Sequence, residues 1–499
     1  MKTTSPTRQA TSHLTADEEA LFKCETALEL KDQSDVEGAQ KAMRRLWRRV
    51  GERPDTEGLH PSVAADVLLT TGILTRWVGG RAKIKGAQEV AKNLITESIT
   101  YYESVGDTER VGSARSEIAY CYWRDGELNE ARIMLHQALD ELPAQGNTRA
   151  RALLHLIVVE SSALQFDVAS RLLHDNAVFF ESVSNHSLKG SYHNELAIVL
   201  RNLSRSEPSR RDDLLLKALG EFEKADHHFG LAKNSDFRAT VKNNVALILF
   251  NLSRFNEAQK YVIEAQRLMV KDRVRVAQFE ETQAQIFIAE NKLTDAESVI
   301  RQSIQAFEKS GRQGLLAEAL ITQGIALARL KQHERAQYTF ERAIEVANQV
   351  GASNIAGLAA LTMIEELDHL SRTTLQSSFE RASEGLAKSL NHDLIVRFNA
   401  AANKVYASLN REEIPEDSAG VISTPCNFQE EVLKFEGTLI RLALAQANGS
   451  VTRAASLLSL SYQALAYIIG GRHKDLLKER SPVRRRRSHK KEMQSRQLR

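Results

Sequence analysis

The chain has 499 residues, of which 42% are hydrophobic and 26% charged, with only 8 Pro and 6% aromatics; this excludes a disordered chain and is too long for one ordinary core. The formal net charge of +3 conceals an asymmetry: Arg472 to Arg499 carry twelve Lys/Arg against three Asp/Glu, a formal +9, which leaves −6 for residues 1–471. Met1–Thr15 is polar and no stretch approaches about 18 uninterrupted apolar residues, so neither a signal peptide nor a membrane span is expected and the expected location is the cytoplasm. Cys24, Cys121 and Cys426 are far apart and form no C-x-x-C pair, which argues against a disulfide framework or a zinc site.

Residues 1–16 read as a flexible N-terminus, and from Asp17 the composition favours helix almost throughout. Weak hairpin patterns span Ala27 to Leu46 and Gly72 to Ser98. Arg44, Arg45, Arg48 and Arg49, with Trp47 between them, read as a solvated basic ridge on one early helix. Gly79 to Gly86 lacks the order of a phosphate loop and reads as a solvated inter-helix loop. The pattern then becomes clear: Ala119, Tyr122, Ala131, Leu135, Ala138 and Pro143 fall at the spacing of two helices joined by a short turn. A weaker copy runs from Ala197 to Phe229 with a polar loop at Ser204 to Asp213, and His227 and His228, being adjacent on a helix, diverge too far to share a metal. In four units a small residue recurs with a spacing of 12: Ala119 and Ala131, Ala246 and Ala258, Ala284 and Ala296, Gly324 and Ala336. Small residues at that spacing let two helices cross closely.

This series resembles the tetratricopeptide repeat, with intervals of 38 to 40 residues between successive units (Ala131 to Ala169, Ala258 to Ala296, Ala296 to Ala336) against about 34 in that family. The resemblance implies about eight or nine hairpins between Asp17 and Leu409, an α-solenoid over residues 17–410, and a concave side that holds a protein or peptide partner. Asn194, Asn243, Asn244 and Gln323 on the inner faces of first helices are placed to grip a peptide backbone, but simple surface exposure is the favoured expectation. No H-E-x-x-H, G-x-S-x-G or paired-carboxylate motif occurs, so no enzyme activity, metal or cofactor is expected.

Residues 411–427, with Pro415 and Pro425, read as a linker, and residues 428–475 as a separate domain. Gly449 is placed to end one helix in the left-handed conformation and the Ser450 hydroxyl to cap the next. Val451, Ala454, Ala455 and Leu458 share one buried face. Ser461 caps a third helix, with Leu465, Ile468 and Ile469 inward and Tyr462, Gln463, Ala466 and Tyr467 outward. Residues 476–499, including Arg484 to Arg487, read as a basic disordered tail.

The segment Leu433 to His473 is similar to the Fis-type helix-turn-helix that closes many bacterial enhancer-binding activators, on Glu436, Leu439, Ile440, Ala443, Leu444, Ala447, Gly449, Val451 to Ala455, Leu457, Leu458, Ser461 and Leu465. It departs from that family at Ser459, where Gly is preferred, and at Tyr462, Ala464, Ala466 and Ile468, where Thr, Arg or Lys is common. The resemblance implies an all-α protein, a tetratricopeptide-like α-solenoid followed by a small C-terminal helix-turn-helix domain, binding double-stranded DNA as a homodimer through helix 428–447. Candidate DNA-contacting residues are Thr452, Arg453, Ser461, Tyr462, Gln463, Tyr467, Arg472 and Lys474. Gln463 is suited to adenine, the two tyrosines to a thymine methyl or a phosphate, and Thr452, Arg453, Arg472 and Lys474 to the backbone. Two functions stay open: a bacterial transcription regulator, nucleoid-associated when bound, whose repeat array senses a protein or peptide, and a scaffold or adaptor whose terminal helices serve dimerisation with nonspecific or no DNA binding.

Overall fold

The structure is a computed structural model describing residues 14–387, 391–409 and 428–480, and no strand forms among them. The chain divides into two compact units, residues 1–411 and 412–499. The expected linker and most of the expected flexible N-terminus and basic tail lie outside the described residues.

Unit 1 is a ladder of antiparallel hairpins. In chain order its helices are α1 (Ala16–Asp32), α2 (Val36–Met43), α3 (Pro61–Ala82), α4 (Ala87–Ser104), α5 (Thr108–Asp125), α6 (Leu128–Glu141), α7 (Asn147–Ser162), α8 (Phe166–Asp175), α9 (Ala177–Ser182), α10 (His186–Ser206), α11 (Arg211–Leu231), α12 (Ser235–Asn251), α13 (Phe255–Leu268), α14 (Arg273–Ala289), α15 (Leu293–Ser310), α16 (Gln313–Arg329), α17 (His333–Gln349), α18 (Ser353–Glu366), α19 (Arg372–Leu386) and α20 (His392–Leu409). Each helix packs on its chain neighbours, and first helices such as α5 and α7, α12 and α14, or α14 and α16 also meet. That is a tetratricopeptide-like α-solenoid.

Small residues make the crossings possible. Ala119, Ala131, Ala246, Ala258, Ala284, Ala296 and Ala336 are fully buried, and a Cβ on Gly324 would lie 2.6 Å from Phe340 Cε1. The turns share one device, a residue in the left-handed conformation with an N–H reaching back five residues. Gly126 (φ +87°) supplies it between α5 and α6, but Leu164 (φ +60°), Ser253 (+59°), Asn291 (+59°) and Lys331 (+62°) supply it elsewhere. The closing bonds are Glu127 N to Tyr122 O at 2.9 Å and Gln165 N to Glu160 O at 2.9 Å, with equivalents at 2.8–2.9 Å after Ser253, Asn291 and Lys331.

The solenoid winds far enough for its early hairpins to touch later ones. Asn234, fully buried, caps α12 by accepting from Phe237 N at 3.0 Å, while its Nδ2 donates to the carbonyl of Asp32 at 2.7 Å. Arg81 pairs with Asp236 at 2.6 Å, and Arg312 Nη2 donates to the Arg81 carbonyl at 3.1 Å. Early turns therefore seat on α12 and α16.

Several local expectations change. Helix α2 ends at Met43, so Arg44 to Arg49 lie beyond it; Trp47 is buried, and Arg45 and Arg49 pair with Glu19 at 3.1 Å and Glu52 at 2.6 Å. Gly79 to Ala82 belong to α3, and Gly79 lets α4 pack closely there, since a Cβ on it would collide with the Ala87 side chain. The Ser204 to Asp213 loop shrinks to a short bridge, since α10 runs to Ser206 and α11 begins at Arg211. Ala16 is helical, with Thr15 and Glu18 forming a reciprocal cap.

Unit 2 contains α21 (Phe428–Gln446), α22 (Val451–Leu457) and α23 (Tyr462–Gly471), then a short 3-10 turn over Lys474–Glu479. Its core joins Ile440, Leu444, Val451, Ala454, Leu465, Ile469 and Leu476. The folded unit therefore extends past 475: Leu476 is fully buried, so residues 476–480 belong to the domain and not to the tail.

Candidate nucleic-acid interface and solenoid interior

In unit 2 the chain leaves α21 through Asn448 (φ +50°) and Gly449 (φ +76°), with Gly449 N donating to Leu444 O at 2.8 Å. Ser450 stands at the N-cap of α22, yet its hydroxyl makes no capping bond, contrary to expectation. Leu458 to Ser461 then form a four-residue turn in which Ser459 takes φ +54° and Leu460 N closes on Ala455 O at 2.9 Å. A serine thus occupies a position that glycine would fill at lower cost. Ser461 caps α23, its Oγ accepting from Ala464 N at 3.1 Å. Helices α22 and α23 meet at 106°, within the range of about 90–120° of a helix-turn-helix with such a turn.

The candidate contact residues divide by position. Thr452 and Arg453 are exposed on the first turn of α22; Tyr462, Gln463 and Tyr467 are exposed on one face of α23, Tyr467 at 82%. Ala466, expected outward, is half-buried against the core because Leu465 and Ile469 draw that side of the helix in. Lys474 is exposed on the 3-10 turn. Arg472 sits at the end of α23 and pairs with Glu436 at 3.1 Å, and the same carboxylate holds His473 Nε2 at 2.8 Å. Arg441 pairs with Asp475 at 3.1 Å and Glu479 at 2.9 Å. These ties fasten the end of α23 and the turn after it to α21, and the sequence reading missed Glu436, Arg441 and His473 in this role. On the outer side of α21, Leu439 and Leu442 are 41% and 56% exposed.

In unit 1 two neighbouring cavities open between the helices. A cavity of about 540 Å³ lies among Tyr120, Trp123, Ser161, Glu195, Asn202 and Phe237. A second, about 480 Å³, shares Leu164, Phe166 and Asn202 with it and continues towards Arg205 and Leu394. Asn194, Asn243, Asn244 and Gln323, expected at the exposed surface, are all half-buried. Asn194 lines the first cavity, the Asn243 Oδ1 is buried without a hydrogen-bond partner, and Asn244 Oδ1 accepts from Arg201 at 3.5 Å.

The buried charges of this interior are mostly matched. Arg76 forms an ion pair with Glu117 and stacks over the Tyr120 ring at 4.2 Å. Burial alone would raise Glu117, but the Arg76 guanidinium holds its carboxyl well below the usual range. Burial pushes His155 down to about 3, so its ring is neutral. Two carboxyls behave oppositely: burial pushes Glu195 up to about 7, and burial together with Glu318 pushes Glu281 up to about 7.

No protein-family model matches this chain, and no curated protein matches it. Similar solved structures include a Rap protein complexed with competence and sporulation factor (12% identical over 70% of this chain and 99% of that one, TM-score 0.47). Another is the apo form of the quorum sensor NprR from B. thuringiensis (13% identical, 67% and 89% covered, TM-score 0.48). A third is a signal-transduction ATPase with a tetratricopeptide-repeat sensor from Pyrococcus horikoshii (14% identical, 79% and 64% covered, TM-score 0.44).

Proposed function

We propose that this chain is a DNA-binding transcription regulator in which unit 2 docks on duplex DNA and the solenoid binds a protein or peptide partner. The observation that carries the reading is the 106° pair α22 and α23, closed over a buried core with Gln463 and Tyr467 on an open face. A segment of formal charge +9 begins at Arg472, and phosphate neutralisation supplies the sequence-independent part of affinity. Gln463 reads an adenine edge, Tyr462 and Tyr467 meet thymine methyls or phosphates, and Thr452, Arg453, Ser461, Arg472 and Lys474 hold the backbone. Leu439 and Leu442 seat a second copy along α21, so the protein acts as a homodimer. It has no catalytic chemistry of its own and works in the cytoplasm, on the nucleoid when bound.

One observation favours the adaptor instead: the exposed face of α23 carries two tyrosines and a glutamine but no cation. Gel shifts at fixed salt decide. On the regulator reading, Gln463→Ala narrows the gap between specific and random duplex, and Arg472→Ala weakens both. Equal binding by wild type and both variants sinks the assignment, and crosslinked genomic DNA without a shared motif supports the adaptor.

A further inference from the structure

The seam where the turn after α3 seats on the later hairpins gathers four cations around two carboxylates. Arg81 comes from the last turn of α3, and Lys83 ends that helix in the left-handed conformation at φ +54°. Arg275 lies in the first turn of α14, and Arg312 stands at the N-cap of α16. The acids are Asp236, in the first turn of α12, and Asp272, at the N-cap of α14. Four cations against two carboxylates leave a formal +2.

Both acids are already engaged. Asp236 pairs with Arg81 at 2.6 Å, and Asp272 Oδ1 accepts from the Arg275 backbone N at 3.1 Å to cap α14. The other cations meet neutral oxygens: Arg275 Nη1 donates to Thr240 Oγ1 at 3.3 Å, and Arg312 Nη2 to the Arg81 carbonyl at 3.1 Å. Among the described residues, Lys83, Arg275 and Arg312 form no ion pair. Burial first, then Arg81 and Arg312, hold Arg275 below the usual guanidinium range although Asp236 and Asp272 pull the other way. Burial and Arg312 likewise hold Lys83 below its usual range.

No local stretch of sequence assembles this group, since Arg81 and Arg312 meet only when the solenoid is wound. The backbone adds to its sign: the amino ends of α12, α14 and α16 reach the seam against the single carboxyl end of α3. Lys83 is exposed and the three arginines are half-buried, so the group is open to an anion from solvent.

We propose that this seam binds a diphosphate group, held by Lys83, Arg275 and Arg312 with Arg81 beside them. Two linked phosphates offset the excess charge and offer paired oxygens to the guanidinium N–H groups that have no acceptor. The anion bridges the turn after α3 to α14 and α16, so its binding fastens the early hairpins to the later ones. The diphosphate comes either from a free oligophosphate or from a nucleotide, and the site is independent of what the two cavities hold.

The test is hydrogen exchange of the full chain with and without sodium pyrophosphate or ADP, at an ionic strength matched with NaCl. Once the anion exceeds its dissociation constant about tenfold, exchange in residues 79–86 and in the first turns of α14 and α16 is expected to slow about tenfold. Arg275→Gln and Lys83→Gln each remove one charge and are expected to abolish the slowing. Lys83 is exposed, so its variant keeps the test decisive even where Arg275→Gln unfolds, and circular dichroism checks both. A response to pyrophosphate that matches or exceeds the response to ADP supports the site with an oligophosphate as its ligand; a larger response to ADP supports it with a nucleotide. No slowing at the seam at about 5 mM of either anion, slowing confined to unit 2, or slowing that survives either substitution in a folded variant overturns the proposal.

Discussion

Replacing Glu281 by Gln should stabilise the solenoid in a way that depends on pH. On α14, Glu281 Oε1 accepts from Gln285 Nε2 at 2.9 Å and from Thr322 Oγ1 on α16 at 3.2 Å. Burial, then Glu318, pushes its carboxyl up from 4.5 to about 7. Between those values the folded chain binds more protons than the unfolded one, so stability falls as pH rises through the window and is flat above it. The interval corresponds to about 3 kcal/mol at about 1.4 kcal/mol per unit, and partial exposure of the site trims it to about 2 kcal/mol. Gln keeps an oxygen for both donors and removes the charge. Urea unfolding followed by circular dichroism at about pH 5 and about pH 8 should show little difference between variant and wild type at the lower value, and a gain of about 2 kcal/mol at the higher. An equal effect at both values would refute the argument that this carboxyl is held protonated.

Packing predicts opposite signs for two glycines. Gly324→Ala should destabilise by about 1–3 kcal/mol, because the new methyl meets Phe340 at 2.6 Å. Gly220→Ala, in α11 with open space around it, should stabilise by about 0.5–1 kcal/mol in the same urea titration. Asn234→Asp retains the cap of α12 but loses the donor to the Asp32 carbonyl, so hydrogen exchange should speed up at the end of α1 while the first turn of α12 stays protected; unchanged exchange at α1 would show that the tie contributes nothing. Ser459→Gly should slow exchange in α22 and α23 by relieving a left-handed serine, a gain of about 1 kcal/mol, and faster exchange would contradict the strain reading.

The hairpins were legible because a helix records its packing locally: Ala119 and Ala131, or Ala284 and Ala296, are small at fixed spacing because two helix backbones must pass close together there. The core of unit 2 was legible for the same reason, Leu465 and Ile469 lying one turn apart on the inward side of α23. Turn chemistry was only half visible. Gly449 announces the left-handed position, but Leu164, Lys331 and Ser459 occupy it too, held there by the bond that reaches back five residues. Tertiary structure alone decided the rest. The tie from Asn234 to Asp32 spans 202 residues and depends on how many hairpins complete the winding. Likewise, Glu117 and Glu195 are the same residue type in similar helices, yet one lies against Arg76 and the other lines a cavity where burial outweighs the pull of Arg201. Periodicity is a property of the chain, whereas a carboxyl's proton affinity belongs to whatever charges and walls the fold brings around it.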